Sequence, residues 1–372
     1  MTQYKEIFDK TEISEVISKN SESFVNYLRK TIPGIYDITY TCGISLTRFE
    51  IVFPQGYNIA RFTGTNAKKS YLSRFNSFFN TNFSNLYQDG DKLIVEIPNR
   101  DRGILHFDRA IKALSNIPKE EGKIHFYIGE SIDGTPLIGN IEEYPHILIA
   151  GASGSGKSVN MQSILVSLLT RYNEREINLY LFDTKRVEFS LYKEQNIKQI
   201  KGHVTEPELV YKKLSELQKE MNARYDIMEE KGFRKLSDYN LHNPNTKLPY
   251  IIIVFDEYAD MITSSGNKDV ENIVQNIAQK ARACGMYIIL CTQRPDAKTV
   301  DTRTREQIGG RICFKVDTSR TSNMVIKTSG AEKLQNRGDG YFLSEGIPVR
   351  FQGAMLEDYE IKAAIKEIAQ NQ

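Results

Sequence analysis

The sequence predicts an α/β protein in which a mainly parallel, buried sheet follows a small α+β domain. Three observations lead there. From residue 145 onward, short and almost wholly apolar runs alternate with longer stretches of helical spacing. The first of those runs, HILIA at 146–150, is joined to the next helix by GASGSGKS at 151–158, which fits G-x-x-x-x-G-K-[ST]. Before residue 125 the texture differs, because an amphipathic helix and alternating strands occur there without a strand–helix repeat.

In chain order, Ile13, Val16, Ile17, Phe24, Val25 and Leu28 recur at helical spacing over 11–30, and Pro33-Gly34 stops that helix. ISLTRFEIVFP at 44–54 alternates as a strand does, and Pro54-Gln55-Gly56 reads as a turn. LIVEIPN at 93–99 and KIHFYIGES at 123–131 are further strands, and the Phe-rich segment 75–88 reads as a helix and loop with inward phenylalanines. Strand HILIA precedes a helix over 160–172; a strand at 178–183 and a long helix at 207–232 follow. Strands at 250–257, 287–293 and 311–316, with a helix at 269–283, complete the βαβ pattern. Residues 340–344 and 349–353 flank Glu345-Gly346 and predict an antiparallel hairpin at the sheet edge. The expected domains are 1–125, 126–356 and a tail, 357–372, whose residues 357–370 can form one helix.

A chain of 372 residues exceeds the usual size of one compact core, in line with more than one domain. Hydrophobic content of 40% and charged content of 26% are those of an ordinary globular protein, and a net charge of +2 neither demands nor excludes a polyanionic partner. The first residues contain no secretory signal pattern, and the longest apolar runs are strand-sized. A cytoplasmic protein without a membrane segment is therefore expected. Cys42, Cys284, Cys291 and Cys313 form no CxxC pair and read as buried, reduced thiols. The histidines are scattered without HExxH, so no histidine metal site is expected.

The glycine loop carries the chemistry. Gly151, Ala152, Ser153, Gly154, Ser155 and Gly156 let backbone N–H groups turn toward a β-phosphate, with Lys157, Ser158 and Val159 opening the helix behind them. Lys157 reaches the β/γ-phosphates, and the Ser158 hydroxyl is a ligand for Mg²⁺. Such a loop needs a strand-end carboxylate. In IIIVFDE, Asp256 would hold the Mg²⁺ shell and Glu257 would polarise the attacking water. Gln293, at the end of the following strand, is either a γ-phosphate sensor or a residue capping the turn before Pro295. Together these residues predict a nucleoside triphosphatase using ATP and Mg²⁺.

Beyond the loop, PHILIAGASGSGKSV, FDTKRVEFSLY, EMNARYDIM, IIIVFDEYADM, IAQKARACGMYIILCTQRP and SGAEKLQNRGDGYF resemble the blocks of the FtsK/SpoIIIE DNA translocases, in their order. LTRFEIVFPQGYNIAR, EIPN and IGESIDGTPLIGNIEEYPH resemble the small domain that precedes that motor, so the likeness spans roughly residues 35–356. The resemblance implies a RecA-like motor domain, assembly into a hexameric ring, and ATP-driven pumping of double-stranded DNA. Membrane segments and a winged-helix domain, usual in the family, have no counterpart in these residues, as in a soluble motor carried by a mobile element. By resemblance Arg282 is an arginine finger reaching a neighbour's ATP; read by itself it is an exposed arginine near a helix end. Arg294, Lys298, Lys333 and Arg337 lie in two loops similar to the family's pore loops and are the candidate DNA contacts. Lys185 and Arg186 follow a strand end and have a structural or nucleotide-edge role. Two other readings stay open: a conjugation or secretion coupling ATPase, and an ATP-controlled clamp or packaging adaptor on DNA.

Overall fold

The computed structural model describes residues 12–81, 84–99, 102–193, 195–266, 268–296, 300–344 and 346–371. The chain divides into two compact units, the first holding residues up to Leu105 with Glu130–Pro136 and Arg350–Gln352, the second holding the remainder.

In the first unit α1 (Glu12–Thr31) is followed by β1 (Asp37–Cys42), β2 (Leu46–Val52), α2 (Ala60–Thr63), α3 (Thr65–Phe79), β3 (Asn85–Asp89) and β4 (Lys92–Pro98). The strands form an antiparallel sheet in the order β1-β2-β4-β3. Strand β1 escaped the sequence reading, although its residues alternate between buried and half-buried, because its outward positions are Asp and Thr. The Phe-rich segment read as helix and loop is divided: α3 ends at Phe79 and the chain re-enters the sheet as β3. Its phenylalanines do pack inward in part. Phe75 and Phe79 meet the buried Phe24 ring at 5.3 and 4.7 Å between centroids, while Phe78 is 40% exposed. Buried Glu96 on β4 is gripped by Arg350 at 2.5 Å and Arg48 at 2.8 Å. Burial alone would raise its pKa, but the two guanidiniums outweigh it and hold the carboxyl below its usual range.

The second unit contains α4 (Asp108–Ser115), β5 (His125–Ser131), β6 (Pro136–Asn140), β7 (His146–Ala150), α5 (Lys157–Arg171), β8 (Ile177–Phe182), β9 (Ile200–Val204), α6 (Pro207–Glu230) and α7 (Leu236–His242). It continues through β10 (Tyr250–Phe255), α8 (Tyr258–Ser265), α9 (Lys268–Lys280), β11 (Met286–Thr292), α10 (Thr302–Gln307), β12 (Gly310–Phe314), α11 (Ser319–Ile326), β13 (Asp339–Ser344), β14 (Ile347–Gln352) and α12 (Asp358–Gln370). Residues 130–131 and 136 of β5 and β6, and 350–352 of β14, are counted with the first unit. The sheet order is β6-β5-β14-β13-β12-β7-β11-β10-β8-β9, and the run from β12 to β9 is parallel throughout. Every residue of β7, β10 and β11 is buried, as their almost wholly apolar sequences require of strands covered on both faces. Helix α5, behind the glycine loop, is buried over most of its length and packs against α4 and α12.

The hairpin strands β13 and β14 are not at the sheet edge, because β5 and β6 lie beyond β14 in the strand order. Strand β14 pairs with β5 through Phe351↔Ser131 and Gln352↔Glu130, partners too distant in sequence for a local pattern to reveal. Strand β9, IKGHV, was also missed, since only its last residue is buried and Lys201, Gly202 and His203 interrupt the apolar run. All four cysteines are buried and free. Among the described residues no helix is long and apolar enough to cross a membrane.

His146 opens β7 at 1% exposure and accepts the Ile288 N–H on Nδ1 at 3.1 Å. Burial, aided by the Arg282 guanidinium, pushes its pKa down to about 4 from 6.5. The unfolded chain therefore binds the proton more readily between those values. Stability is complete above about pH 6.5 and falls as the pH drops toward 4, by about 3 kcal/mol in all. Thermal melts across that range should show this slope in the wild-type protein and a flatter one in His146→Asn, whose amide oxygen can accept without titrating. Equal slopes would remove His146 as the cause.

Candidate functional site

The parallel strands end at one edge, and the loops leaving β7, β8, β10 and β11 converge there. The chain leaves β7 toward β8 on one side and leaves β11 toward β12 on the other, and such a switch is where open α/β sheets form a crevice. The glycine loop is tied down on both sides. Gly151 N–H donates to Thr292 O at 3.3 Å and Ala152 N–H to Lys315 O at 2.8 Å. Gly156, at φ 108°, caps α5 in a conformation that side chains rarely adopt. A Cβ there would also lie 2.5 Å from the Gly338 nitrogen, and Gly338 N–H donates to Ser155 O at 2.8 Å. Ser153 and Gly154 are exposed, whereas Ala152, Ser158 and Val159 are half-buried.

Lys157, 5% exposed, directs Nζ to the Asp256 carbonyl at 3.3 Å and lies 3.8 Å from Glu257 Oε2. Glu257 is in turn held from the next strand: its Oε1 accepts the Thr292 hydroxyl at 2.8 Å, and both oxygens face the Gln293 N–H at 3.1 Å. The register explains this. Phe255 pairs with Leu290, so the residues just past β10 stand level with the end of β11. Asp256 is 5% exposed, and its pKa is pushed up to about 7 by burial, then by Glu188, Asp183 and Glu257, with Lys157 opposing.

The other predicted residues are distributed unevenly. Gln293 enters this network through its backbone N–H, while its side chain is exposed. Arg282 is exposed just before β11, donating to the Glu142 carbonyl at 3.1 Å. Because β11 runs parallel to β7, Arg282 sits at the sheet edge opposite Lys157 in its own chain. Arg294 is exposed directly after the Glu257 contact, and its N–H donates to Thr292 Oγ1 at 3.1 Å. Lys298 lies outside the described residues. Lys333 is exposed in a short 3-10 turn, and Arg337, at φ 67°, is exposed next to Gly338, so its backbone borders the glycine loop. Lys185 forms an ion pair with Asp260, and Arg186 one with Glu206 at 3.5 Å.

Against known families, the FtsK/SpoIIIE sequence profile matches residues 114–297, which carry the glycine loop, Asp256, Glu257, Arg282, Gln293 and Arg294. The chain carries an FtsK/SpoIIIE-family ATPase domain. Relatives of that domain include the DNA translocase FtsK of Oceanobacillus iheyensis, 33% identical over 75% of this chain and 36% of that protein. The DNA translocase SftA of Bacillus subtilis is 35% identical over 74% of this chain and 29% of that protein. SpoIIIE of Bacillus subtilis is 32% identical over 75% and 36% respectively. The matched region thus spans about a third of the length of these relatives. Among solved structures, the pCW3 conjugation coupling protein TcpA superposes with a TM-score of 0.65 at 24% identity, covering 94% of this chain and 99% of that one. The cytoplasmic domain of the type VII secretion ATPase EccC of Thermomonospora curvata gives 0.62 at 20% identity over 72% and 34%. These likenesses establish a shared α/β fold with a small antiparallel sheet and a mixed, mainly parallel one.

Membership of the FtsK/SpoIIIE family implies ATP binding and hydrolysis. The edge fits a divalent cation as well. A buried Asp256 whose ionisation is resisted by three neighbouring carboxylates gains from positive charge beside it, and the half-buried Ser158 lies in the first turn of α5, directly after Lys157. Two residues of this FtsK/SpoIIIE domain were missed by sequence reasoning, Asp183 and Thr292. Asp183 is 1% exposed, with Oδ2 accepting the Phe189 N–H and Oδ1 buried without a hydrogen-bond partner. Phe182 pairs with Phe255, so Asp183 and Asp256 end adjacent strands side by side. The repeated strand ending, LFD at 181–183 and VFD at 254–256, was the available signal. Thr292 was overlooked because a threonine in an apolar strand reads as structural.

Proposed function

We propose that this chain is an ATP-driven motor that moves double-stranded DNA, acting as a hexameric ring. The observation that carries the reading is the position of Glu257 between two partners: Lys157 of the phosphate loop on one side, and the start of the exposed Arg294 loop on the other. In a family whose relatives are named DNA translocases, that arrangement suits a machine in which hydrolysis and DNA contact are linked.

In this reading the N–H groups of residues 151–157 hold the triphosphate, and Lys157 neutralises the β/γ oxygens. Ser158 and Asp256 would hold Mg²⁺, which would supply positive charge to spread the charge developing on the phosphates. Glu257 takes the proton of the attacking water, and Arg282 of a neighbouring copy stabilises the transferring phosphoryl group. Arg294, Lys298, Lys333 and Arg337 offer charge to DNA phosphates without reading base edges.

The test is displacement of a third strand from a triplex by ATP-fuelled movement along the duplex. A static clamp cannot strip a strand at a distance, so absence of displacement despite tight binding would favour the clamp. Binding should also be nearly indifferent to sequence and steeply salt-dependent, each lost phosphate contact lowering the salt slope by about 0.9. Binding to unrelated duplexes across a salt series, with Lys333→Ala and Arg337→Ala alongside, checks this; a strong preference for one duplex at equal length and salt counts against it. One observation favours a second reading: the likeness to the conjugation coupling protein TcpA extends over 94% of this chain, beyond the region the family profile matches. A coupling ATPase would be stimulated by single-stranded DNA or a protein cargo rather than by long duplex.

A further inference from the structure

We propose that Thr292 is a positioning residue that ties Glu257 to the loop carrying Arg294, so that duplex DNA on the loop sets the rate of ATP hydrolysis. The inference rests on the translocase reading and names the residue through which the two halves of that function communicate.

The Thr292 side chain is fully buried at the end of β11. Its single oxygen does two things: it donates to Glu257 Oε1 at 2.8 Å and accepts the Arg294 N–H at 3.1 Å. The next backbone N–H, that of Gln293, meets both oxygens of the same carboxylate at 3.1 Å. Glu257 is therefore oriented by the first residues of the basic loop rather than by its own helix. Hydrogen bonds to a carboxylate fix its direction, so their geometry governs how well it is aimed at the attacking water.

The far side of the relay is exposed and cationic. Arg294 and Gln293 face solvent, and Arg305 of α10 grips the Pro295 carbonyl at 3.0 Å, so the loop is held just beyond Arg294. Phosphates binding Arg294 shift the backbone between two fixed points, Thr292 in the sheet and Pro295, whose carbonyl is held by Arg305 of α10. The Arg294 N–H is the first group inside that span to move, and its partner is the oxygen that holds Glu257. A threonine suits the position because one hydroxyl can accept from the loop and donate to the carboxylate at once.

Thr292→Val keeps the shape and removes the hydroxyl, Thr292→Cys keeps a small side chain with a weak donor, and Thr292→Ser restores the hydroxyl. Steady-state ATP turnover of the full chain is measured with and without long duplex DNA, together with the KM for ATP and binding of a fluorescent ATP analogue. The ratio of DNA-stimulated to DNA-free turnover should fall about tenfold in the Val and Cys variants and stay within about twofold of wild type in the Ser variant, with KM changed by less than about twofold in all. An unchanged ratio in Thr292→Val overturns the proposal, as does a Ser variant as impaired as the Val variant, which would mark a packing role. If Thr292→Val fails to bind the analogue, the Cys and Ser variants decide by the same criterion. A wild-type protein not stimulated by duplex removes the translocase reading and this inference together. A stimulated wild type with an unaffected Val variant removes only the inference.

Discussion

Lys157→Ala should lower ATP turnover by at least about 10²–10³-fold, with loss of nucleotide binding, whereas Glu257→Gln should lose comparable turnover and keep ATP bound. The difference follows from where the two side chains lie. Lys157 is the cation beside Asp256 and Glu257 in a pocket where it is 5% exposed, so its removal leaves buried carboxylates facing each other and the phosphates without neutralisation. A glutamine at 257 retains an amide oxygen that can accept from Thr292 and from the Gln293 N–H, so the local framework survives while the proton acceptor is lost. A fluorescent ATP analogue and a turnover assay on both variants check the division. Equal loss of affinity in the two would contradict it.

Arg282→Ala should reduce turnover by about 10³-fold or more if the guanidinium completes the site of a neighbouring copy. Within one chain it has no route to its own phosphates, since β11 and β7 run parallel and Arg282 precedes one while Lys157 follows the other. Their separation spans at least the length of a strand, about 16 Å. Turnover should accordingly rise steeply with protein concentration, because assembly completes the site. Mixing Arg282→Ala with Glu257→Gln should recover part of the activity, as some interfaces then pair an intact arginine with an intact glutamate. No recovery at any mixing ratio would assign Arg282 to holding the Glu142 carbonyl.

Several elements were legible because their signals are local. The long helices over 12–31 and 207–230, the glycine loop and the strand-end DE all depend on residues within a few positions of one another. The short capping pair of α12 is similar: Glu357 and Glu360 satisfy each other's backbone N–H groups, so a helix at 357–370 could be read without knowing what it packs against. Strands β1, β3 and β9 are short and partly polar, and became strands only because a neighbour supplied the other half of the ladder. Arg294, Lys333 and Arg337 formed one class by sequence, yet Arg337 lies with its backbone against the phosphate loop while Arg294 borders Glu257.

The residue types and spacing around 151–158 and 250–257 determined by themselves that this chain has a phosphate loop backed by a strand-end carboxylate pair, because a tight turn, a helix start and a strand end are chemistry of adjacent residues. Only the tertiary structure decided which strands stand next to one another. The registers Phe255↔Leu290 and Phe182↔Phe255 bring Thr292 to Glu257 and Asp183 to Asp256, and the close approach of Gly338 to Gly156 joins a basic loop to the phosphate loop. Those pairings are set by burial of apolar strands between two layers of helices, a long-range packing choice that no short stretch of sequence records.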